Sequence, residues 1–273
     1  MDMKDRVAIV TGAGGGIGRA IALELARRGA DLALLDPAAS VDESAVQCAR
    51  LGARVHVERT DVSDAAQVRA AVEAVRAKPG PVDCLVNNAG ITNHIAPLRR
   101  MTREGWDREL EVNLTGPFNL IQAVLPDMIG RQWGRIVNIA SMAARAGLYN
   151  QAGYSASKAG LVGLTHNVTL EHARHGITCN AVLPGLIETP VVATMPRAIL
   201  AQAIALTPAR RTGRPEEVAA LVAFLCSDAA GFVNGTEIDI DGGSRMCPVV
   251  LGSVRELEAR AALMAGGTSA PGG

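Results

Sequence analysis

A chain of 273 residues, 48% hydrophobic and 20% charged, can bury a sizeable core, which excludes global disorder and fits one large α/β domain or two small ones. Its 27 basic residues balance 27 acidic ones without a basic block; this excludes nucleic acid as the main partner, since phosphate binding needs a concentrated basic face. Aromatic residues make up only 3%, so Ala, Val, Leu and Ile must fill the interior, as in a buried parallel sheet.

In chain order, residues 7–10 read as a buried strand, 12–18 as a glycine-rich turn, and 17–28 as an amphipathic helix closed by Gly29. Strands follow at 31–35 and 54–58, with helices at 45–51 and 65–77, the second ending before Pro79. A strand at 84–86 runs into Asn87-Asn88-Ala89-Gly90. A long helical segment covers about 103–127, interrupted near Gly116 and Pro117. Then come a strand at 135–139, a helix at 154–175, a strand at 178–182, a helix at 215–226 and a last strand at 237–240. Strands alternating with helices predict a single α/β domain over 1–247, a doubly wound parallel sheet with helices on both faces.

Two segments break this rhythm. Residues 186–214 carry no strand signal and contain Pro190, Pro196 and Pro208, so they predict a functional loop or lid. In the tail at 248–273, residues 253–265 can form one helix and 266–273 read as flexible; the tail as a whole is expected to be mostly disordered. Cys48, Cys84, Cys179, Cys226 and Cys247 are scattered with no C-x-x-C pair, which predicts free thiols and no zinc site. Without an apolar leader or a run long enough to span a bilayer, the expectation is a soluble cytoplasmic protein with no membrane partner.

The chemistry gathers around Tyr154 and Lys158. Four residues apart on a helix, they project to one side, and a neighbouring ammonium should lower the phenol pKa from about 10 and fit Tyr154 for proton transfer. Thr11-Gly12-Ala13-Gly14-Gly15-Gly16-Ile17-Gly18 sits between a strand and a helix, where glycines let a pyrophosphate approach the helix N-terminus. Asp36, 18 residues after Gly18, ends the second strand; a carboxylate there accepts from both ribose hydroxyls of an adenosine and repels a 2′-phosphate. Position 15 is Gly and position 37 is Pro, so no adjacent cation answers that phosphate, and NAD(H) is favoured over NADP(H). Ser141 and Asn88 follow strands and fall on the predicted binding edge.

With these pieces together, the chain resembles the short-chain dehydrogenase/reductase family over roughly residues 3–246, in the branch of 3-oxoacyl-carrier-protein reductases and NAD-dependent alcohol or polyol dehydrogenases. The motifs are T-G-x-x-x-G-I-G at 11–18, Asp61-Val62, Asn87-Asn88-Ala89-Gly90, Asn113, Ser141, Tyr154-x-x-x-Lys158 and Pro184-Gly185-Leu186-Ile187-Glu188-Thr189. The resemblance implies a Rossmann-like fold and a hydride-transferring oxidoreductase. Tyr154 would be the general acid or base, with Lys158 holding the nicotinamide ribose and lowering the Tyr154 pKa. Ser141 would hold the substrate oxygen, and Asn113 a water relaying protons from Lys158. Gly12, Gly14, Gly15, Gly16, Ile17 and Gly18 would cradle the pyrophosphate and Asp61 and Val62 contact the adenine. Asn88 and Gly90 would lie against the cofactor, and Pro184, Gly185, Ile187 and Thr189 near the nicotinamide carboxamide.

His94, Gln151 and Val191 are further candidates for touching substrate. The apolar lid suits a small or medium, fairly apolar alcohol or ketone; Arg197, Arg210 and Arg211 read as solvated charges on its outer face, the alternative being that they receive a carboxylate or a phosphopantetheine phosphate. His166, His172 and His175 lack an accompanying carboxylate cluster and read as surface residues, so no metal is expected. Trp106 and Trp133 read as packing residues. The resemblance also implies a homotetramer, or a dimer, packed through 103–127 and 154–175, with Leu110, Leu114, Leu161, Leu164 and Leu170 as candidate contacts. Two other readings compete: an NADPH-dependent 3-oxoacyl thioester reductase, and a catalytically silent NAD-binding scaffold.

Overall fold

The computed structural model describes residues 3–246 and 254–266. Its strands are β1 (Val7–Thr11), β2 (Asp31–Leu35), β3 (Val55–Glu58), β4 (Cys84–Asn87), β5 (Gly134–Ile139), β6 (Ile177–Pro184) and β7 (Glu237–Ile240). All pair in parallel in one sheet, ordered β3-β2-β1-β4-β5-β6-β7. This is the Rossmann-like doubly wound fold that the alternating pattern predicts. Strand order reverses between β1 and β4, and a crevice opens at the carboxyl ends of strands at such a point.

The helices are α1 (Gly16–Arg27), α2 (Val41–Arg50), α3 (Ala65–Ala77), α4 (Arg103–Leu110), α5 (Gly116–Arg131), α6 (Ala143–Ala146), α7 (Ala152–His172), α8 (Pro190–Ala193), α9 (Arg197–Leu206), α10 (Pro215–Leu225) and α11 (Val254–Gly266). Every residue of β1 is buried, and alternate side chains enter opposite cores. Ala8 and Val10 pack with Ile21, Leu25, Val218 and Val222 from α1 and α10. Val7 and Ile9 pack on the other face with Val68, Val72, Leu120 and Val124 from α3 and α5. Strands covered on both faces need the continuous apolar runs seen in this sequence.

The long helix expected over 103–127 is broken by a π-helical turn, Glu111–Thr115, ahead of Gly116. The Asn113 side chain bonds both backbone groups of Ile91, and Pro117 has no N–H to close a regular turn. The segment 186–214 is not a bare loop: α8 and α9 form there, and Ile187 bridges to Gly213. The tail expected to be mostly disordered contains α11, which packs on α9 and pairs Glu256 with Arg210. Residues 267–273, read as flexible, and Cys247 lie outside the described residues.

Cys48, Cys84, Cys179 and Cys226 are free and buried. Trp133 is packed as expected, with the Arg6 guanidinium 3.7 Å over its ring and its indole N–H on Asp228. The leucines proposed for an interface divide: Leu161 is fully buried and Leu164 packs on the core, whereas Leu170 is 82% exposed. Among the described residues no helix is long and apolar enough to cross a membrane, and no cluster of His, Cys, Asp and Glu could hold a metal ion.

Two glycines of the first turn differ in what surrounds them. A Cβ on Gly18 would meet the Gly12 carbonyl oxygen at 2.1 Å, whereas one on Gly15, whose φ is −176°, meets nothing within 4 Å. Gly18→Ala should therefore lower stability by about 2 kcal/mol or more, while Gly15→Ala stays within about 0.5 kcal/mol of wild type. Urea unfolding of both variants checks this, and equal losses would contradict the packing.

Candidate active site

The turn after β1 and the turn after β4 are locked to each other. The Thr11 hydroxyl accepts the backbone N–H groups of Asn88 and Ala89 at 3.0 and 2.9 Å. The Asn88 amide donates to the carbonyls of Thr11 and Gly12 at 3.0 and 3.2 Å. Gly12, at φ +63°, leaves no room for a Cβ beside Ala89 and Asn88. The turn then feeds α1, whose first amides have no partner within the helix and carry the positive end of its dipole. No arginine or lysine is needed to make that end attractive to a phosphate.

Asp36 stands at the far side of this turn. Its Oδ2 accepts the Gly14 N–H at 2.9 Å and its Oδ1 accepts the Ala38 N–H at 2.8 Å. A carboxylate has about four acceptor sites, so two remain for a ligand. Arg19, one turn into α1, comes close: its guanidinium donates to the Gly14 carbonyl, Ser44 and Glu43. Inspection of positions 15 and 37 alone overlooks this cation, because helical periodicity rather than adjacency brings it here.

At the other end, Ser141 follows β5 and Tyr154 lies in the first turns of α7. Tyr154 and Ser141 line the same cleft, and the Ser141 oxygen accepts the Ala143 N–H at 3.1 Å. Lys158 is buried, donates to the Ile139 carbonyl at 2.8 Å, and has its Nζ 5.8 Å from the centre of the Tyr154 ring. Here the structure corrects the sequence expectation. Burial raises the Tyr154 pKa above its ordinary value, the Ser141 hydroxyl opposes that, and the charge of Glu109 adds to it. Burial also pushes the Lys158 ammonium down to about 8. Desolvation wins over the charge pairing that spacing alone suggests.

These groups share one cleft of about 490 Å³. Of the residues singled out from sequence, Gly12, Gly15, Gly16, Ile17, Asp36, Asn88, Gly90, Ser141, Tyr154, Lys158, Pro184, Gly185, Ile187, Thr189 and Val191 line it. Gly14, Gly18, Asp61, Val62, Asn113, His94 and Gln151 do not. Gly14 and Gly18 act through Asp36 and Gly12, as described above. Burial works to raise the Asp61 pKa, but hydrogen bonds from Ser63 and Arg108 overcome it and hold the carboxyl below its usual range. Val62 is buried against Gly116.

Asn113 is fully buried and donates to Ser157 as well as to Ile91. His94 is turned toward α4, where its Nε2 accepts the Thr102 N–H at 3.3 Å. Gln151 reaches the cleft only through Thr92, whose hydroxyl donates to it at 2.9 Å. Sequence reasoning missed Thr92 and Ala140 in the lining, and no local pattern marks them; Leu186 stands in the quoted motif and Val192 in the expected lid. Thr11 was legible as the first residue of the glycine motif, but its role depends on a contact 77 residues away.

Comparison with known proteins agrees with this geometry. A family model described as enoyl-(acyl carrier protein) reductase matches residues 12–245. Levodione reductase of Leifsonia aquatica is 41% identical over 250 residues, covering 88% of this chain and 94% of the relative. The crystal structure of levodione reductase superposes with a TM-score of 0.87 at 39% identity, covering 90% of this chain and 99% of that one. The 3-oxoacyl-(acyl-carrier-protein) reductase of Thermotoga maritima is 42% identical over 244 residues, covering 89% of this chain and 99% of the relative. The structure of NAD+-bound xylitol dehydrogenase has a TM-score of 0.86 at 33% identity, covering 89% of this chain and 100% of that one. The chain belongs to the short-chain dehydrogenase/reductase family, and is an oxidoreductase acting on CH–OH groups with a fold that binds nicotinamide cofactors.

Proposed function

We propose that this oxidoreductase interconverts a secondary alcohol and a ketone with NAD(H), Tyr154 giving the proton in reduction and taking it in oxidation. The observation that carries the reading is the gathering of Ser141, Tyr154 and Lys158 in the cleft that also holds Asp36. The cleft suits a dinucleotide: α1 points its N-terminus at one wall, Gly15 leaves open space there, and Asp36 keeps acceptor sites for a ribose. A structural relative carries NAD+, which supports the same preference here.

When bound, the nicotinamide supplies or accepts the hydride. The backbone of Gly12, Gly15, Gly16 and Ile17 holds the pyrophosphate, Asp36 the adenosine ribose, and Pro184, Gly185, Ile187 and Thr189 border the nicotinamide. Ser141 orients the substrate oxygen and stabilises charge developing on it. The proton resides on Tyr154 Oη. A Cβ on Gly90 would lie 3.2 Å from both Asn113 Oδ1 and Lys158 Nζ, so the two side chains border the same space beside Gly90, and a water held between them would give the proton a route outward.

Ile91, Ala140, Leu186, Val191 and Val192 give the substrate end an apolar lining, and no lid arginine enters it. Arg211 is taken up by Glu217, and Arg210 by Glu256 and the Ala205 carbonyl. This favours a fairly apolar small alcohol over a phosphate-bearing thioester. The second reading, an NADPH-dependent 3-oxoacyl thioester reductase, draws on the Thermotoga maritima relative. Exposed Phe118 on α5 and Leu170 on α7 support self-association through those helices.

Fluorescence titration with NADH and NADPH tests the cofactor assignment. NADH should bind more tightly, and Asp36→Ala should weaken it by about tenfold or more, as expected for lost hydrogen bonds to a charged group. Tighter NADPH binding would move the thioester reductase to first place. Tyr154→Phe should lower kcat by about a hundredfold or more and leave NADH binding intact, as general acid–base catalysis requires. A wild type that binds NADH and turns over no alcohol or ketone would favour the silent scaffold.

Lys158 yields a further prediction in the cofactor-free protein. Its pKa falls from 10.5 to about 8 on folding, so between those values the unfolded chain binds more protons and stability rises with pH. Wild type should therefore gain stability relative to Lys158→Met as pH climbs from about 8 toward 10.5. Urea midpoints across that window check the sign, and a constant difference would contradict it.

A further inference from the structure

One buried acid beside the site has no part in the chemistry above. Glu109, in the last turn of α4, is 1% exposed and sits between the loop after β4 and the first turn of α7. Its Oε1 accepts the His94 backbone N–H at 3.3 Å, and its Oε2 has no hydrogen-bond partner. That free oxygen lies over Gly153, where an added Cβ would meet it at 2.5 Å. Gly153 immediately precedes Tyr154.

One turn earlier on the same face of α4, Gly105 makes the matching gap for the His94 ring, whose nearest atom would lie 2.6 Å from an added Cβ. Two glycines thus let a carboxylate and an imidazole fill the seam between α4, α7 and the substrate-side loop. Burying an unpaired carboxylate is costly, and an apolar side chain would close the same seam without that cost. The first turn of α7 offsets part of it, because its leading amides carry the positive end of the helix dipole. Glu109 from α4, His94 from the loop, and Lys158 with Tyr154 from α7 are the titratable groups that face this centre.

We propose that Glu109 is a positioning residue of the catalytic centre, seated between the loop at His94 and the first turn of α7 with its unpartnered oxygen against Gly153, and acting on Tyr154 from there. The inference rests on the reading of Tyr154 as the acid and base. A negative charge held near a phenol disfavours phenolate, so Glu109 reinforces what burial already does. The protonated phenol is the form that donates during ketone reduction, so the carboxylate biases the resting site toward that form. Alcohol oxidation then requires a more alkaline medium than the same site would need without Glu109.

The chain has two tyrosines, and Tyr149 is 91% exposed. In a Tyr149→Phe background the ultraviolet absorbance of phenolate therefore reports Tyr154 alone. That titration is run with the pH profile of kcat/KM for alcohol oxidation, in Glu109→Gln and Glu109→Asp, with circular dichroism recording the fold. Glu109→Gln keeps an acceptor for His94 and removes the charge. It should move both midpoints to lower pH and raise kcat/KM about threefold below the midpoint, as removal of a nearby like charge requires.

Glu109→Asp draws the charge back from Gly153 and should move both midpoints the same way by less. Midpoints that stay put or rise in the Gln variant overturn the proposal; if that variant does not fold, the same result in the Asp variant overturns it. A phenol midpoint that moves in a protein without turnover supports the coupling and refutes the dehydrogenase reading. Normal turnover with an unmoved phenol midpoint refutes the coupling alone.

Discussion

The lock between Thr11 and Asn88 is the constraint on which the rest of the site depends. One hydroxyl accepts two backbone N–H groups, and one amide returns to two carbonyls, so the ends of β1 and β4 are held in fixed relation where the strand order reverses. Every glycine gap around it is set by that relation. Gly12 passes under Ala89, Gly18 lies against the Gly12 carbonyl, and Gly14 reaches across to Asp36. A turn that had to order itself on binding would lose affinity to that ordering, and this one is already ordered by its own hydrogen bonds.

The second organising force is desolvation. The motif Y-x-x-x-K suggests a phenol acidified by its ammonium, and the geometry does place both groups on one side of α7. Yet Lys158 is buried and Tyr154 half-buried, and desolvation penalises each charged form separately: Tyr154 is pushed up and Lys158 down. The lysine meets a carbonyl at Ile139 rather than a counter-ion, which satisfies its hydrogen bonding without restoring full charge stabilisation. Spacing reports proximity; it does not report the dielectric in which two groups meet.

This difference explains how much was legible in the sequence. The inner strands were readable because a strand buried on both faces must be a short apolar run; β2 matches its expected limits, as does the half-exposed edge strand β7. The candidate cluster of Ser141, Tyr154 and Lys158 was readable because its members stand at a strand end and at helical spacing. Less legible was anything set by long-range packing. The π turn at Glu111–Thr115 follows from Asn113 bonding Ile91, 22 residues away. Asp61 and Val62 stand in their motif, but Arg108 and Gly116 define their surroundings. Glu109 carries no sequence signal at all, being one acid among several in a polar helix.

The two ends of the cleft are built on different principles. The end at Asp36 is made of backbone turns anchored to the central strands, so its shape follows from the sheet. The opposite end is lined by Pro190, Val191 and Val192 of α8, in a segment whose ends are joined by the bridge of Ile187 to Gly213. Its outer support is α11, which packs on α9 and holds Arg210 through Glu256, beyond the residues 12–245 that the family model matches. Arg210 itself adopts a left-handed backbone, at φ +56°, an arrangement that a non-glycine residue keeps only when its surroundings hold it. Its bonds to the Ala205 carbonyl and to Glu256 do so. The segment 186–214 therefore leans, through α9, on a helix outside the residues that the family model matches, and motifs at the Asp36 end carry no information about it.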